Sequence, residues 1–315
     1  MTEELMSNRK HAIFKRIVEV ILTVFFVTLL SFLLMRLSPI DAATAYAKRN
    51  TPNPTQEQIA QLRIEMGLDK PLLVQYGMWV GDALQLDFGV SLVNAKDAFH
   101  EMAQVLPITV SVVLLSSVMQ IVFSVLVANA MYLGRKNICG KFLKIFMLAC
   151  VSIPAFYIAN SYLNFFAVKT DMISVTENVG LMRYLHPAIC LTVPYVAFYG
   201  RMLYTTLSRD MKEDYAFYAR CRGLSESRIL FLHATPRACI ALLPNFMQSI
   251  GLTMAGAAFV ERIFSLPGLG YLIIDSVMHR DSPMVHLCVL VLALSIALVG
   301  VLADVVQYFL DKKRT

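Results

Sequence analysis

Residues 107–133 read PITVSVVLLSSVMQIVFSVLVANAMYL and contain no charged side chain. The uncharged stretch extends further, from Met102 to Gly134. A helix that crosses the hydrocarbon core of a bilayer, ~30 Å thick, needs about 20 apolar residues, because each residue rises about 1.5 Å along the helix axis. Pro107–Leu133 is long and apolar enough for one such helix, so it predicts a membrane-spanning segment.

The rest of the chain has the composition of a membrane protein. Hydrophobic residues make up 57% of its 315 positions and charged residues only 16%, whereas a soluble domain carries about 25% charged residues. Five further apolar stretches predict spanning helices, which gives six in all and an all-α integral membrane fold. They are Ile17–Leu37, Ile145–Val168, His186–Leu207, Ala238–Val260 and Leu287–Leu310.

The basic residues are distributed unevenly between the two sides of the membrane. With six spans, 18 of the 28 lysines and arginines fall on the side that holds both termini, in residues 9–16, 135–144, 201–237 and 312–314. The positive-inside rule therefore predicts cytoplasmic termini in a multi-pass protein of the cell inner membrane. Because these clusters lie beside apolar runs, the net charge of +6 does not indicate nucleic acid as a partner.

The segments between the spans divide the chain into three parts. We expect a cytoplasmic tail and first span in residues 1–38, an outer segment with short helices in 39–104 and a five-helix core in 105–315. No small-x-small cleavage site follows the first apolar run, so we expect this span to be uncleaved. Trp79, the only tryptophan, lies in an amphipathic outer stretch that suits contact with membrane lipid. The large inner piece of the core is 208–237.

Other kinds of site find no support in the sequence. The six cysteines show no C-x-x-C pair and the histidines lack neighbours at the spacing of metal ligands, so we expect no metal site. Gly134 and Gly140-Lys141 resemble a phosphate-binding loop, but the glycines are six residues apart and Phe142 replaces the required Ser or Thr. The sequence has no G-x-S-x-G pattern, the nucleophile elbow that would indicate catalysis. We therefore expect a chain that is not an enzyme and binds no cofactor.

The segment between the fourth and fifth spans contains the first informative motif. Residues 213–228 read EDYAFYARCRGLSESR. They predict a short helix, a break at Gly223 and a second helix capped near Ser225. Composition alone is compatible with a solvated loop. The segment is longer than a helix connection needs, however, and its aromatic and apolar side chains among the charges favour a docking surface for a partner.

This segment resembles the coupling loop, or EAA motif, of the permeases of ATP-binding cassette (ABC) importers. Phe217-Tyr218-Ala219 occupy the EAA positions, Gly223 lies where the motif has its glycine, and Pro236 lies where it has its closing proline. Thr235-Pro236-Arg237 departs from the usual Leu-Arg-Asn of the related branch. The resemblance implies that residues of this segment couple the chain to an ATPase. They are Tyr215, Phe217, Tyr218, Ala219, Arg220, Gly223, Leu224, Ser225 and Arg228.

Further segments resemble the dipeptide, oligopeptide and nickel permeases among these proteins. After the fifth span, residues 260–270 read VERIFSLPGLG, and residues 280–283 read RDSP. In the outer segment, residues 66–76 read MGLDKPLLVQY and residues 86–91 read LDFGVS. These matches occur in the same order as in the family, and together with the coupling loop they cover most of the chain. The run TPNPT at 51–55 leans toward the nickel and opine-metallophore branch.

The segment after the fifth span is expected to lie at the outer mouth of a pore. Pro267, Gly268 and Gly270 predict a re-entrant turn, followed by a short helix at about Tyr271–His279. An ordinary glycine-rich loop is the alternative for Pro-Gly-Leu-Gly alone. The combination with RDSP favours the outer gate.

The resemblance also implies an architecture and a set of partners. The architecture is that of a type I ABC importer permease, in which this chain and a second homologous permease subunit enclose a pathway. Two cytoplasmic ATP-binding subunits would dock on the coupling loop and hydrolyse ATP with magnesium, and an extracytoplasmic solute-binding protein would dock outside. ATP-driven movement of the coupling loop would open the pathway alternately to each side. The implied solute is a small peptide or a nickel or other metal chelate.

Polar side chains within the spans are the candidates for the lining of this pathway. Asn245 and Gln248 lie one turn apart on the fifth span, and Thr253 and Met254 could continue the same surface. Glu261 is a candidate for the outer gate, with the alternative that it snorkels to the membrane surface. Close packing against a neighbouring helix is the structural alternative for this span, since it is rich in small residues.

Two other functions fit an apolar six-span chain. A secondary transporter would need inverted repeats and ionisable residues near the bilayer midplane, and the sequence shows neither. A membrane scaffold without an ATPase partner agrees with the composition. The coupling-loop resemblance favours the importer over both.

Overall fold

The computed structural model describes residues 2–37, 40–170 and 180–312, with side chains from residue 16 to residue 310 of those ranges. These residues form helices and loops without a β-strand, and Val90 and Asp97 make an isolated antiparallel bridge. The all-α prediction is confirmed for this part of the chain. The predicted boundary at residue 38, the side chains of the basic cluster 9–15 and the basic residues 313–314 lie outside the described part.

The described helices alternate between long and short. The long ones are α1 (Thr2–Arg36), α5 (Ala98–Leu133), α8 (Met182–Asp210), α11 (Thr235–Ile263) and α13 (Ser282–Lys312). The outer segment holds α2 (Ala42–Asn50), α3 (Gln56–Glu65) and α4 (Leu72–Leu84). The remaining elements are α6 (Ile138–Val151), α7 (Ala155–Leu163), a π-helical turn (Asn164–Lys169), α9 (Asp214–Cys221), α10 (Glu226–Ile229), a second π-helical turn (Leu230–Ala234) and α12 (Leu269–Met278).

Among the described residues, four helical stretches are long and apolar enough to cross a bilayer: Arg16–Arg36, Ala98–Leu133, Glu226–Ile263 and Ser282–Leu310. A fifth crossing results if α6 and the helix that follows it count together, but the chain bends by 99° between them. The prediction of one continuous helix over Ile145–Val168 is therefore wrong. The bend lies at residues 152–154, where a proline removes a backbone donor and disfavours the helical conformation of the residue before it.

Helix α8 contains the predicted fourth span, His186–Leu207, as one continuous helix. It does not belong to the four strongly apolar stretches, because Arg201 and several hydroxyl groups interrupt its apolar residues. The described residues thus contain four or five apolar crossings, and the total of six spans stays a prediction.

The described chain forms two compact units. Unit 1 comprises Met1–Pro107 and Pro267–Ala297, and unit 2 comprises Ile108–Leu266 and Leu298–Thr315. Each unit therefore combines two parts of the sequence. The predicted division at residues 38 and 104 follows the sides of the membrane rather than compactness, and it stays a prediction.

A buried cluster in unit 2 joins α8 to α11 and to the segment between them. We call this segment, residues 208–237, the inner segment. Leu203 and Leu207 of α8 belong to it, together with Ile229 and Leu230 of the inner segment and Phe246 of α11. All five side chains are buried. Burial of apolar surface on this scale fixes the inner segment to the long helices, so the segment is not a loosely solvated loop.

The turn between α5 and α6 depends on a close approach of Gly134 and Gly140. A Cβ atom added to Gly140 would lie 2.1 Å from the carbonyl oxygen of Gly134 and 2.4 Å from its carbonyl carbon. The amide of Asn137 donates to the Gly134 oxygen at 2.9 Å and closes the turn. The two glycines that resemble a phosphate-binding loop therefore have a packing role, since only a residue without a side chain fits at Gly140.

We predict that Gly140→Ala destabilises unit 2, because the new methyl group must push two backbone segments apart. Overpacking of this kind costs about 1–3 kcal/mol, so the thermal unfolding midpoint of the purified chain should fall. Gly256→Ala on α11 is the matched control, because its Cβ would meet only the Leu191 side chain at 3.9 Å. Equal midpoints for Gly140→Ala and Gly256→Ala would contradict the close approach.

Candidate functional site

Helix α9 ends at Gly223 in a Schellman motif, which determines the shape of the inner segment. Gly223 has φ +80°, its amide donates to the Arg220 carbonyl at 2.9 Å, and the Leu224 amide donates to the Ala219 carbonyl at 3.1 Å. These two bonds satisfy the last carbonyls of the helix. Ser225 then caps α10, where its hydroxyl accepts from the Arg228 amide at 3.4 Å. The predicted order of helix, glycine break and capped helix is confirmed.

The two faces of α9 differ in exposure. Ala216 is fully buried, while Tyr215 and Ala219 pack against the buried cluster of unit 2. Phe217 and Tyr218 are 58% and 66% exposed on the opposite face, and their ring centroids lie 6.0 Å apart. Two adjacent exposed aromatic rings on an anchored helix form a small apolar surface of the kind that binds a protein partner. We call this pair the aromatic patch.

Charged groups hold the inner segment against the end of α5. Nη2 of Arg135 donates to both carboxylate oxygens of Glu226, at 2.9 and 2.8 Å. The Arg135 guanidinium also lies 4.0 Å from the ring centroid of Tyr132, and Nη2 of Arg220 donates to the Met211 carbonyl at 2.6 Å. Arg135 and Glu226 are 91 positions apart in the chain, so no local sequence pattern indicates this contact.

The other predicted coupling residues of the same segment differ in burial. Leu224 packs against the buried cluster, whereas the side chain of Arg228 is exposed. The ring of Tyr215 is covered by Arg237, whose guanidinium lies 4.5 Å from the ring centroid. All nine predicted coupling residues thus fall within one short segment between α8 and α11. The aromatic patch is exposed on this segment, and so are Phe231 and Leu232, at 50% and 60%.

A buried hydrogen-bond cluster connects α5, α8 and α11 within unit 2. Nε2 of Gln120 donates to the hydroxyls of Ser116 at 3.0 Å and Thr253 at 3.1 Å, and the hydroxyl of Ser249 donates to Oε1 of Gln120 at 3.2 Å. The Ser116 hydroxyl lies 3.1 Å from the Thr192 hydroxyl. All five side chains are buried. Apart from Thr253, the members of this cluster were not predicted, because in the sequence they are isolated polar residues within apolar runs.

The predicted pathway residues on α11 occupy different environments. Asn245 is half-buried, and its backbone carbonyl accepts a hydrogen bond from the Tyr199 hydroxyl at 2.9 Å. Gln248 is exposed, whereas Thr253 and Met254 are buried, so these four do not form one surface. Glu261 is 0% exposed. The alternative that Glu261 snorkels to the membrane surface is therefore wrong.

Gln248 belongs instead to an exposed stripe along α11. Gln248, Leu252, Ala255, Phe259 and Arg262 are exposed at intervals of three and four residues, which places them on one face of the helix. We call this face the α11 stripe. Leu252 and Phe259 give it an apolar centre, and Gln248 is its uncharged polar residue.

The turn after α11 is formed differently from the prediction. Ser265 has φ +50°, and the Leu266 amide donates to the Glu261 carbonyl at 2.9 Å, so a serine rather than a glycine takes the left-handed position. Gly268 has φ −98° and precedes α12, and Gly270 lies within that helix. Both glycines are buried and Pro267 is exposed. The predicted short helix exists and begins at Leu269, two residues earlier than expected.

Two of the sequence segments that carry the resemblance meet in unit 1. The Ser91 hydroxyl donates to Oδ2 of Asp281 at 2.5 Å, and the Leu92 amide donates to Oδ1 at 3.1 Å. Arg49 adds bonds to the carbonyls of Leu92 at 2.8 Å and His279 at 2.6 Å. Asp281 is buried, so these bonds compensate its charge and fix the chain before α13 to the outer segment.

A second carboxylate organises the short outer helices. Asp41 caps α2 by accepting from the Thr44 amide at 2.9 Å, and Nε of Arg63 on α3 donates to its other oxygen at 2.6 Å. Burial alone would raise the pKa of Asp41, but the bonds from Thr44 and Arg63 outweigh it and lower the pKa below its ordinary value. The ionised Asp41 therefore stabilises the folded state at pH values above its unfolded-state pKa. This contribution is lost as the pH falls through the folded-state pKa.

Within the described ranges, no three His, Cys, Asp or Glu side chains gather where they could hold a metal ion. An anchored segment with an exposed aromatic patch, beside long helices tied by uncharged hydrogen bonds, is suited to transmitting motion.

Comparison with known proteins agrees with these features. Residues 120–315 match the family described as the inner membrane component of binding-protein-dependent transport systems, and residues 10–113 match the N-terminal region of such membrane components. The chain belongs to this family. It is therefore a transport permease of the multi-pass, membrane-embedded kind, the pore subunit of an ATP-driven ABC importer.

The names of three similar proteins mention three kinds of substrate. The metal-staphylopine import system permease protein CntB of Staphylococcus aureus (strain Mu50) is 28% identical over 96% of this chain and 97% of its own length. The probable peptide ABC transporter permease protein y4tP of Sinorhizobium fredii is 28% identical over 96% and 98%. The nickel import system permease protein NikB of S. aureus (strain MRSA252) is 25% identical over 96% and 91%. The resemblance to peptide and nickel permeases is confirmed.

Proposed function

We propose that the inner segment is the surface through which ATPase subunits drive this permease. The aromatic patch carries this proposal, because exposed Phe217 and Tyr218 project from a helix whose other face is fixed in the core of unit 2. A partner that binds this patch therefore moves α8 and α11 with it. The Schellman turn and the bond from Arg135 to Glu226 keep α9 in a fixed position relative to these helices. The partners proposed for this patch are two cytoplasmic ATP-binding subunits, which bind and hydrolyse ATP with magnesium.

The topology that places this segment inside has six spans and cytoplasmic termini. It counts α6 and α7 as one bent crossing and α8 as another, in addition to the four strongly apolar stretches. The excess of Lys and Arg on the side of the termini supports this orientation in the cell inner membrane. The segment 39–104 then faces outward, where an extracytoplasmic solute-binding protein delivers the solute.

We assign the pathway to the space between this chain and a second homologous permease, with the α11 stripe facing it. Gln248 supplies an uncharged hydrogen-bonding group, Asn245 borders the same face, and Glu261, Pro267, Gly268 and Gly270 belong to the outer gate. A pathway with few fixed charges lets a solute leave as readily as it enters. Alternating access then follows from rocking of the long helices when the ATPases close.

The substrate proposed for this pathway is a small peptide or a chelate of nickel or another metal. The names of the relatives support both classes. A naked metal ion is not favoured, because it needs several directional ligands at one point. Uptake of a labelled dipeptide and of a nickel chelate, compared in a deletion strain and its complement, separates the two, and failure of both would refute the class.

Gly223→Val tests the coupling role. A β-branched residue is strained at φ +80°, so the end of α9 must rearrange and displace the aromatic patch. We expect normal membrane insertion with at least about a tenfold loss of ATP-dependent uptake, in line with a strain of about 1–2 kcal/mol acting on docking. Gly67→Val is the matched control, since Gly67 also has positive φ and open space around it, but lies in the outer segment.

Gly223→Val must then lose binding to the ATPase subunits in co-purification, while Gly67→Val keeps it. A Gly223→Val permease that assembles and transports like the parent shows that the segment does not couple the chain to an ATPase.

The orientation is tested by thiol labelling in intact cells, in a background in which the exposed cysteines Cys139 and Cys221 are replaced by serine. A membrane-impermeant reagent should modify a cysteine placed at Asn53 from outside. It should modify a cysteine at Ser225 only after the membrane is opened. The reverse pattern refutes the proposed topology.

A further inference from the structure

Unit 2 contains an open cleft of about 550 Å³ that the coupling and pathway proposals do not use. It lies among α5, α6 and α8, and we call it the α6–α8 cleft. Its lining includes two cations, Lys144 and Arg201, and two hydroxyl groups, those of Tyr204 and Thr205, and the other lining residues are apolar. The volume is within the range of small-molecule sites, about 300–1,000 Å³. Both charges of the described lining are positive, so the cleft favours an anion.

Lys144 on α6 is held in the cleft by one aromatic residue of α8. Its Nζ donates to the Tyr204 hydroxyl at 2.5 Å and lies 4.1 Å from the centroid of the Tyr204 ring. An ammonium group has three N–H donors, and the bond to Tyr204 uses one of them. Lys144 is half-buried. The contacts with Tyr204 therefore fix the position of the ammonium group and leave donors for a ligand.

Arg201 lies on the same face of α8 as Tyr204, because residues three apart on a helix are neighbours, with about 5–6 Å between their Cβ atoms. Its side chain is exposed, so a ligand in the cleft can reach it. Asp210 is the only acidic residue of α8 and lies nine residues further on, about 13 Å along the axis, and α6 has no acidic residue. Within the described ranges the Arg201 guanidinium has no carboxylate partner.

Both cations lie in helices that we propose to cross the membrane. A charged side chain in a spanning helix is unfavourable unless it faces a cavity or a group of opposite charge. Lys144 and Arg201 face the same cleft, and its described lining offers them no carboxylate. Two such cations on adjoining helices therefore indicate a ligand that brings the negative charge.

The helices α6 and α8 run in opposite directions along the cleft. Lys144 contacts Tyr204, whereas Cys150, further along α6, belongs to one buried cluster with Ala197, which comes earlier on α8. Residues that follow Lys144 on α6 therefore lie at the same end of the cleft as residues that precede Tyr204 on α8.

The end of the cleft beyond the Lys144–Tyr204 pair is apolar and accessible. Leu148 of α6 and Phe198 of α8 lie there, and each is 52% exposed. The cleft thus combines cations and hydroxyl groups at one end with exposed apolar side chains at the other. A free phosphate ion would use only the first part, whereas a phospholipid fits both, and basic pockets between membrane helices are known to bind anionic lipid head groups.

We propose that the α6–α8 cleft binds an anionic phospholipid, whose phosphate pairs with Lys144 and Arg201 and whose acyl chains lie along Leu148 and Phe198. The Thr205 hydroxyl lines the same part of the cleft and can donate to an oxygen of the head group. A zwitterionic lipid is a poorer ligand, because its ammonium group would meet two cations. The site lies within unit 2 and depends neither on the coupling role of the inner segment nor on the assignment of the pathway.

Lipid binding is measured by native mass spectrometry of the purified full-length chain in detergent. The chain is titrated with phosphatidylglycerol and with phosphatidylcholine that has the same acyl chains. We expect phosphatidylglycerol to bind at least about fivefold more tightly, since each cation favours an anionic head group. Inorganic phosphate in excess should not displace the lipid, because it makes no contact with the apolar end of the cleft.

Variants locate the binding. Arg201→Met and Lys144→Met each remove one cation and keep an unbranched apolar side chain. Each should weaken binding of phosphatidylglycerol at least about fivefold and leave that of phosphatidylcholine unchanged. Lys169→Met makes the same change in net charge at an exposed residue of unit 2 outside the lining, and it should preserve the preference. Size-exclusion elution checks folding, and Arg201→Met decides alone if Lys144→Met is not folded.

A photo-crosslinker identifies the occupant of the cleft in the assembled importer. Benzoylphenylalanine replaces Phe198, an exposed aromatic residue of the lining. Mass spectrometry of the adducts should show anionic phospholipid at a higher proportion than in the surrounding membrane.

Four results would overturn the proposal. Equal affinity for phosphatidylglycerol and phosphatidylcholine would show that the charge is not recognised, and displacement by inorganic phosphate would indicate a site for a free anion. An unchanged preference in folded Arg201→Met would place the lipid elsewhere. A crosslink from position 198 to the second permease subunit, or lipid adducts with the composition of the surrounding membrane, would show that no specific lipid occupies the cleft.

Discussion

Water is absent from the hydrocarbon core of a bilayer, and this constraint determines where the chain can place its polar groups. Backbone donors and acceptors are satisfied within helices, and polar side chains at the same depth need partners inside the protein. The cluster around Gln120 meets this requirement, because its amide bonds to one hydroxyl group on its own helix and to two on α11. Such a cluster holds α5, α8 and α11 in register without a charge that would attract or trap a solute.

The same helices continue into a region that is held by different forces. There the buried apolar cluster of unit 2 joins α8 and α11 to the inner segment, and Arg135 ties Glu226 to the end of α5. Apolar packing resists compression, and the ion pair limits sliding, so a force on α9 reaches the long helices. Stiffness of this kind is what an importer needs if ATP is hydrolysed on other subunits and the solute moves through this one.

Local features of this fold were predictable from the sequence, and non-local ones were not. Gly223 and Ser225 indicate a helix end and a helix cap through their own backbone and side-chain chemistry, and the structure places them so. The break at Pro154 was missed, because hydropathy counts apolar residues and does not register one absent backbone donor. Gln120, the Arg135–Glu226 pair and the Ser91–Asp281 bond all depend on residues far apart in the chain, which no local pattern reveals.

The docking of an ATPase on the aromatic patch is tested most directly by photo-crosslinking in the assembled importer. A benzoylphenylalanine residue replaces Tyr218, which is 66% exposed, in one sample and Leu73 of the outer segment, which is 82% exposed, in another. The proposed mechanism predicts a crosslink from position 218 to the ATP-binding subunit, weakened or moved when ATP is trapped, and none from position 73. A position-218 probe that reacts only with lipid or with the solute-binding protein would contradict it.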